Sequence, residues 1–282
     1  MNDFSNELNK SLQLQLHGVH HTARPTWRLT ETVHFYRDLL GLPLVHAISA
    51  KGWGPENHPD FLHFFFDSGN GSTIAFFYYI GTQQSERYIQ SDHYQDRATH
   101  TAWRVENEAE LLRWRARVEA VGIPLRYQIR HEVIESIYFN DPNGYPIEIT
   151  WQVRPFSLED AKDADNTLEA AMKLESTSLN SIESVWQAKG EQINTGNPEK
   201  ATVFVLDVDE FRPLIDIARR NHAYEVQAIE NGYVRIQGSP ELQFRRKELG
   251  FKPAVWYGAL TGGMVGKIEQ FNMNELVIKP LE

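Results

Sequence analysis

The sequence contains no cysteine, which excludes disulfide bonds, iron–sulfur clusters, thiolate zinc sites and cysteine nucleophiles. It also lacks a long apolar run, since the longest, 74–80, is far shorter than the roughly 20 residues that cross a bilayer. Residues 1–10 are polar and no apolar leader segment follows them, so we expect a cytoplasmic protein with no membrane partner. Any metal site must use histidine, aspartate or glutamate.

Positive charge is scarce, because 28 lysines and arginines stand against 38 aspartates and glutamates, giving a net charge of −10. Nonspecific nucleic-acid binding needs a basic surface, so we expect no nucleic-acid partner. The 41% of hydrophobic and 23% of charged residues are typical of a folded chain. A length of 282 residues predicts one large or two modest domains.

The first half of the chain repeats one pattern, a strand, a helix and three further strands. In the first copy, at about 14–80, Thr30 can cap the helix; in the second, at about 97–152, Asn107 can do so. The turn sequence Asp-Pro-Asn-Gly at 141–144 is typical of a hairpin. The pattern predicts an α+β fold of two βαβββ modules, produced by internal duplication.

Composition divides the chain into three predicted segments. Residues 1–156 form the two-module domain, 157–200 an acidic helical segment and a linker from 188 onward, and 201–282 a smaller α/β unit in which the pattern of 255–281 predicts further strands. The role of the last unit is left open. Its single histidine, His222, lies at a predicted helix end and has no ligand-like neighbours in sequence, which favours a structural or capping role.

The sequence contains eleven histidines, and two of them, together with one glutamate, stand out by their place in the repeat. His21 and His100 lie on the first strands of the two copies, and Glu148 lies on the last strand of the second. Two imidazoles and one carboxylate form the facial triad typical of non-haem Fe(II), with positions open for substrate and dioxygen. Any one of them alone is more often an ordinary strand residue, but the matched positions of the two histidines favour a shared role.

Three stretches carry a family resemblance: Val-His-His-Thr at 19–22, His-Phe-Tyr-Arg-Asp-Leu-Leu-Gly-Leu at 34–42, and Ser-Ile-Tyr-Phe-Asn-Asp-Pro-Asn-Gly-Tyr-Pro-Ile-Glu at 136–148. Together they resemble the vicinal oxygen chelate superfamily, which includes glyoxalase I, type I extradiol dioxygenases, fosfomycin-resistance enzymes and bleomycin-binding proteins. The resemblance covers roughly residues 14–152. It implies paired βαβββ modules that form a curved mixed sheet around a metal.

The resemblance implies metal ligands at His21, His100 and Glu148. A fourth position, on the last strand of the first module, falls at Ala75 or Phe76, and neither can bind a metal. A four-ligand glyoxalase site is therefore disfavoured, and a His/His/Glu set is what the extradiol dioxygenases use. This set favours Fe(II), while Mn(II), Zn(II) and Ni(II) remain open.

The choice of His21 over the adjacent His20 follows the family pattern, in which the second histidine of such a pair is the ligand. Alternation along an ideal strand places His20 on the opposite face. On that face His20 has either a structural role or a role in orienting the metal ligand His21.

The resemblance also suggests catalytic residues. Tyr138 matches a tyrosine that contacts the substrate hydroxyl in extradiol enzymes, and His131 matches a histidine near their metal. Where many of these enzymes carry an acid–base histidine this chain has Ser72, and His63 on the neighbouring strand is a candidate for proton transfer. Each of these residues has an equally ordinary structural interpretation.

The candidate substrate pocket rests on aromatic residues. Phe76 stands at the missing ligand position and Trp53 lies in a predicted loop, so the first is a candidate pocket wall and the second a candidate lid. Aromatic residues also favour strands, and core packing explains most of them without a ligand.

We therefore expect a metal-dependent, extradiol-type dioxygenase acting on an aromatic diol or a similar small molecule with adjacent oxygens. One alternative is a redox-neutral, glyoxalase-like lyase or isomerase with the same ligands. Another is a metal-free protein that binds a small molecule. The chain carries both modules, so it need not dimerise to complete a site, and homo-oligomerisation is left open.

Overall fold

The computed structural model describes residues 16–52, 58–91, 93–175, 181–193 and 199–281. Contacts divide the chain into two compact units. The first contains Asn9–Ile129 and Ile134–Val153, and the second contains Arg130–Val133 and Arg154–Glu282. No helix within the described residues combines the length and the apolarity that a bilayer crossing requires.

The first module of the first unit is a four-stranded mixed sheet with one helix. Its elements are β1 (His21–Thr26), α1 (Leu29–Val33, continued by a π-helical segment His34–Leu39), β2 (Leu44–Ala50), β3 (Phe61–Gly69) and β4 (Ser72–Tyr79). The strand order is β1-β4-β3-β2, and β1 runs parallel to β4. Gly41 follows the helix with a positive φ of 79°, which is typical of a glycine that ends a helix.

The second module repeats this arrangement. A 3₁₀ turn (Glu86–Tyr88) and α2 (Tyr94–Ala98) precede β5 (Thr101–Val105), α3 (Glu108–Ala120), β6 (Tyr127–Arg130), β7 (Ile134–Asn140) and β8 (Pro146–Gln152). The order is β5-β8-β7-β6, with β5 parallel to β8. The same order in both sheets confirms the predicted α+β fold of paired βαβββ modules.

One apolar core serves both modules, because the inward faces of the two sheets and of α1 and α3 contribute to the same cluster. Polar contacts cross between the modules as well. The hydroxyl of Tyr36 donates to the buried carboxylate of Asp141 at 3.1 Å. The hydroxyl of Thr26 donates to the side-chain oxygen of Asn143 at 2.7 Å. The hairpin turn of the second module is thus held by the first.

The second unit contains two further sheets. Its elements are α4 (Leu158–Glu175), α5 (Ile182–Ile193), β9 (Ala201–Leu206), α6 (Arg212–Arg220), β10 (Tyr224–Ala228), a 3₁₀ turn (Glu230–Gly232), β11 (Tyr233–Gly238), β12 (Leu242–Arg245), α7 (Arg246–Leu249), α8 (Pro253–Tyr257), β13 (Met264–Val265), β14 (Lys267–Phe271) and β15 (Glu275–Lys279). The sheet orders are β10-β11-β9-β13 and β12-β15-β14.

Two local predictions for this unit are wrong. Residues 188–193, predicted as linker, are the last turns of α5, where Gly190 permits a close approach: a Cβ there would lie 2.0 Å from the carbonyl oxygen of Met264. Residues 255–257, predicted as strand, lie in α8, which begins at Pro253, a residue suited to a first helical turn. His222 lies two residues beyond the end of α6 and is exposed.

Candidate active site

His100 and Glu148 form an ion pair on the second sheet. The distance from Nε2 of His100 to Oε2 of Glu148 is 2.8 Å. Glu148 is only 3% exposed, whereas the side chain of His100 keeps 31% of its surface in contact with solvent. A carboxylate this deeply buried requires a positive partner. The pair therefore lies at the boundary between core and solvent, where a small molecule can reach the imidazole.

The strand register explains why Glu148 stands where it does. Glu148 lies opposite Ala102 of β5 on one side and opposite Tyr138 of β7 on the other. His100 itself lies one residue before β5, not on the strand as predicted, because the chain leaves α2 only at Thr99. The parallel pairing of β5 with β8 nevertheless brings its ring to the carboxylate.

The ring of His100 is oriented by the backbone. Its Nδ1 donates to the carbonyl oxygen of Arg97, in the last turn of α2, at 2.9 Å. A carbonyl only accepts, so Nδ1 carries a proton and Nε2 is the nitrogen turned toward Glu148. This contact could not be predicted, because α2 is a five-residue helix without an apolar stripe. The N-cap residue His93 is the feature of the sequence that could have indicated the helix.

Tyr138 completes the cluster. Its hydroxyl donates to Oε1 of Glu148 at 2.9 Å, and its ring meets that of His100 edge to face at 6.2 Å. Burial, followed by the hydrogen bond and the charge of Glu148, raises the pKa of the Tyr138 phenol well above its ordinary value. The phenol therefore remains a proton donor at every physiological pH.

His21 is not part of this cluster. It lies at the exposed start of β1, with its Nδ1 2.8 Å from Nδ1 of His20 and its ring 5.8 Å from that of Phe65. Within the described part of the chain, no group of three or more histidine, aspartate or glutamate side chains is placed to hold one metal ion. The structure thus brings together two of the three predicted ligands.

The register nevertheless confirms that the two modules are equivalent at these positions. Ala23 of β1 lies opposite Ala75 of β4, just as Ala102 of β5 lies opposite Glu148 of β8. Ala75, not Phe76, is therefore the counterpart of Glu148, and it is fully buried and carries no donor atom. By the same register His21 and His100 each stand two residues before the paired alanine.

His63 and Phe76 lie in the first sheet. His63 is 8% exposed, stacks on Phe77 with ring centroids 3.7 Å apart, and donates from Nδ1 to the carbonyl oxygen of Phe76 at 3.1 Å. Burial lowers its pKa, so the ring is neutral near pH 7. Phe76 is fully buried between Tyr36 and Phe64 and thus belongs to the core instead of lining an open pocket.

The other two predicted residues lie elsewhere. Trp53, the candidate lid, is outside the described residues. His131 belongs to the segment Arg130–Val133, which is part of the second compact unit, and it is half-buried there.

The chemistry of the pair suits a cation. Because Nδ1 of His100 already donates to a backbone carbonyl, Nε2 and the Glu148 oxygen approach each other this closely only with a proton between them or a metal ion bound by both. A divalent metal ion held by these two atoms would replace that proton. One imidazole and one carboxylate are two ligands of a His/His/Glu set.

Comparison with known proteins gives a family match for the first unit. A family model described as the Glyoxalase/Bleomycin resistance protein/Dioxygenase superfamily matches residues 18–149. No curated protein sequence matches the chain significantly.

Solved structures similar to the chain include three bacterial proteins. A lactoylglutathione lyase from Agrobacterium tumefaciens is 22% identical, with 49% of this chain and 95% of that one covered, at a TM-score of 0.35. A glyoxalase/dioxygenase from Nostoc punctiforme is 19% identical, with 49% and 92% covered, at 0.37. A fosfomycin resistance protein from Listeria monocytogenes, solved with Mn(II) and a dihydroxypropylphosphonic acid, is 18% identical, with 52% and 99% covered, at 0.35.

Proposed function

Because residues 18–149 belong to the Glyoxalase/Bleomycin resistance protein/Dioxygenase superfamily, we propose that the chain is a metal-dependent enzyme whose cation is held by His100, Glu148 and His21. The observation that carries the proposal is the 2.8 Å contact between His100 and the buried carboxylate of Glu148. Two atoms this close are bridged by a proton or bind one metal ion, and a catalytic metal held there would leave positions open for substrate.

We propose that His21 reaches this pair from a second copy of the chain. His21 is exposed at the start of β1, and it occupies the same register position in its module as His100 does. A two-fold dimer would bring the imidazole of each copy to the ion pair of the other, producing two identical sites. The histidine pair His20–His21 would then deliver one ring to the metal and keep the other as its hydrogen-bond partner.

The chain's own residues have distinct roles in this proposal. His100 and Glu148 bind the cation, and the carbonyl oxygen of Arg97 fixes the ring so that Nε2 faces it. Tyr138 donates its one proton to a carboxylate oxygen of Glu148, and its hydroxyl oxygen can accept a hydrogen bond from a substrate hydroxyl bound alongside. The chemistry that the cation supplies is Lewis-acid polarisation of two adjacent substrate oxygens and, if it is iron, electron exchange with dioxygen.

Within the superfamily we propose an extradiol-type dioxygenase with Fe(II) and an aromatic diol as substrate. Two observations support this choice over a glyoxalase-like lyase. Ala75 stands where a fourth ligand would be, leaving a His/His/Glu set, which suits non-haem iron. The rings of Tyr127 and Tyr138 lie 4.7 Å apart beside the pair and offer an aromatic wall for a planar substrate.

The test starts with protein purified without chelator under anaerobic conditions. We expect elemental analysis to find about one divalent metal, iron, per chain, and an oxygen electrode to record uptake with a panel of catechols and hydroquinones. His100→Ala and Glu148→Gln should each lose metal and activity, whereas His34→Ala, at an exposed histidine of α1, should lose neither. Ring cleavage without oxygen uptake would refute the dioxygenase, and full metal content in both site variants would refute the metal site.

The shared site has its own test. His21→Ala and Glu148→Gln should each be inactive alone, but mixing them after brief unfolding and refolding should restore part of the activity. In the mixed dimer one site combines the intact His21 of one copy with the intact Glu148 of the other. No recovery in a sample that is dimeric by light scattering would mean that His21 acts within its own chain or not at all.

A further inference from the structure

The second compact unit contains a cavity of about 540 Å³ that the proposed function does not use. Its volume falls within the range of protein sites for small organic molecules. Its walls are mainly apolar, formed by Val133, Phe156, Leu168, Leu206 and Phe211. Phe156 and Leu168 are largely exposed, so the cavity opens to solvent on their side. A cavity of this kind needs only a few polar groups to orient a ligand.

Glu132 is the polar group of the cavity wall that could bind a ligand. Among the described residues its carboxylate has no hydrogen-bond or ion-pair partner, although its side chain is largely buried. Burial is the first cause that raises its pKa, to about 7, and the charges of Asp163, Glu210 and Asp160 add to it. In this negative environment the ionised form of an unpartnered carboxyl group is favourable only if something else supplies positive charge.

Arg154 does not supply that charge, because its guanidinium is already bound. Its Nε donates to both oxygens of Glu210, at 2.9 and 3.1 Å, and its two terminal nitrogens donate to the carboxylate of Asp160, at 2.6 and 2.9 Å. The contact with Asp160 is bidentate, the strongest form of this ion pair, whereas Nε shares one N–H between the two oxygens of Glu210. One guanidinium bound to two carboxylates leaves a net negative charge here, and its own charge lowers the pKa of Glu132 only in part.

Lys189 is engaged in the same way. Its side chain is fully buried, and its Nζ donates to Oδ1 of Asp163, to the hydroxyl of Thr167 and to the carbonyl oxygen of Thr261, each at 2.7 Å. An ammonium has three protons, so these contacts use them all. Lys189 has no N–H left for an anionic ligand, Arg154 has at most one, on Nη2, and the four carboxylates outnumber the two cations.

We propose that this cavity binds a small apolar molecule that carries a protonated amine, with its ammonium paired to Glu132 and its apolar body against Phe156, Phe211 and Leu168. Charge complementarity selects the cation, because Glu132, which has no partner among the described residues, is an acceptor when ionised. The apolar walls select the rest of the ligand, and the two phenylalanine rings favour an aromatic or alkyl chain close to a positive charge. The site belongs to the second unit alone and uses no residue of the His100–Glu148 cluster.

The test is calorimetric titration of the full-length protein at pH 8 with three probes of matched shape: 2-phenylethylamine, 2-phenylethanol and 3-phenylpropanoate. We expect the amine to bind at least tenfold more tightly than the alcohol, and the carboxylate not to bind. Glu132→Gln should weaken amine binding at least tenfold. Glu183→Gln, at an exposed carboxylate of α5, and Glu148→Gln, in the proposed metal site, should leave it unchanged.

The pH dependence gives a second readout. The charged groups that face Glu132 are Asp160, Asp163, Glu210, Arg154 and Lys189. Because the amine pairs with the ionised carboxylate, its affinity should rise about tenfold from pH 6 to pH 8 and then level off. In Glu132→Gln, with folding verified by circular dichroism, this dependence should vanish.

Three outcomes would overturn the proposal: no amine binding up to millimolar concentration, equal binding of the amine and the alcohol, or unchanged binding by Glu132→Gln. A bulky residue at the wall provides an independent variant, because Ala161→Trp should block the amine without altering any charge. Amine binding that survives Ala161→Trp would place the ligand elsewhere.

Discussion

Tyr138 lies directly opposite Glu148 across the β7–β8 hairpin and donates its hydroxyl to Oε1 of that carboxylate, while His100 occupies Oε2. Both oxygens of the buried carboxylate therefore have a partner, the Tyr138 hydroxyl for Oε1 and the His100 imidazole for Oε2. Removing either partner should affect the site differently, which makes the two contacts separable by experiment.

Tyr138→Phe should keep the metal and lose rate. The phenol stays protonated because its pKa is raised, so it keeps its hydrogen bond to Glu148 and can accept one from a substrate hydroxyl throughout the working pH range. We expect kcat to fall by about 10- to 100-fold, as for the loss of a positioned hydrogen-bonding group, with metal content unchanged by elemental analysis. Tyr94→Phe, at an exposed tyrosine of α2, is the control. Loss of metal together with activity would assign Tyr138 a purely structural role.

Asp141→Ala should destabilise the first unit by roughly 2–4 kcal/mol in urea unfolding. The carboxylate is 5% exposed and accepts from the Tyr36 hydroxyl and from the backbone N–H groups of Asn143 and Tyr145. Truncation leaves these buried donors without an acceptor. Asp38→Ala removes an exposed carboxylate and should leave the free energy of unfolding nearly unchanged. Equal effects at both positions would contradict the assigned role of the turn.

Asp163→Ala should destabilise the second unit by about 3–5 kcal/mol, because it leaves the fully buried ammonium of Lys189 without its counter-charge. Replacing both partners together, as Lys189→Met with Asp163→Leu, should restore much of that loss. Thermal and urea unfolding measure both effects. Asp165→Ala, on the exposed side of α4, serves as the control. If the double variant were as unstable as the single one, the buried charge would not be the cause.

Glu132→Gln should stabilise the protein above neutral pH. In the unfolded chain this carboxyl titrates near its ordinary pKa of about 4.3, and in the folded chain near 7. The folded state therefore holds the proton more tightly, so the free energy of unfolding falls as pH rises between these values and stays low above 7. We expect a gain on the order of 1–3 kcal/mol at pH 8 and little change at pH 4, measured by urea unfolding. An equal effect at both pH values would argue against titration of Glu132.

Much of the first unit could be predicted from sequence. Apolar patterns and turn residues predicted both βαβββ modules, and the Asp141–Gly144 turn predicted the hairpin that places Tyr138 opposite Glu148. These features depend on local geometry, which a single sequence encodes directly.

What could not be predicted depends on contacts between distant segments. The carbonyl oxygen of Arg97 orients His100 only because a short helix ends there. The distance between His21 and the ion pair is set by packing of whole modules, and periodicity contains no information about it. In the sequence Glu132 cannot be distinguished from an ordinary loop residue, because only the fold places it beside three other carboxylates.

The alanine at position 75 makes the two modules chemically unequal. Ala75 and Glu148 occupy equivalent register positions, and only the second carries a side chain with a donor atom. At this position the first module adds to the apolar core, while the second places a carboxylate with the Tyr138 phenol bonded to it. The halves are therefore not interchangeable, and a polypeptide made of two first modules in tandem would have the strand-start histidine twice and the central carboxylate not at all.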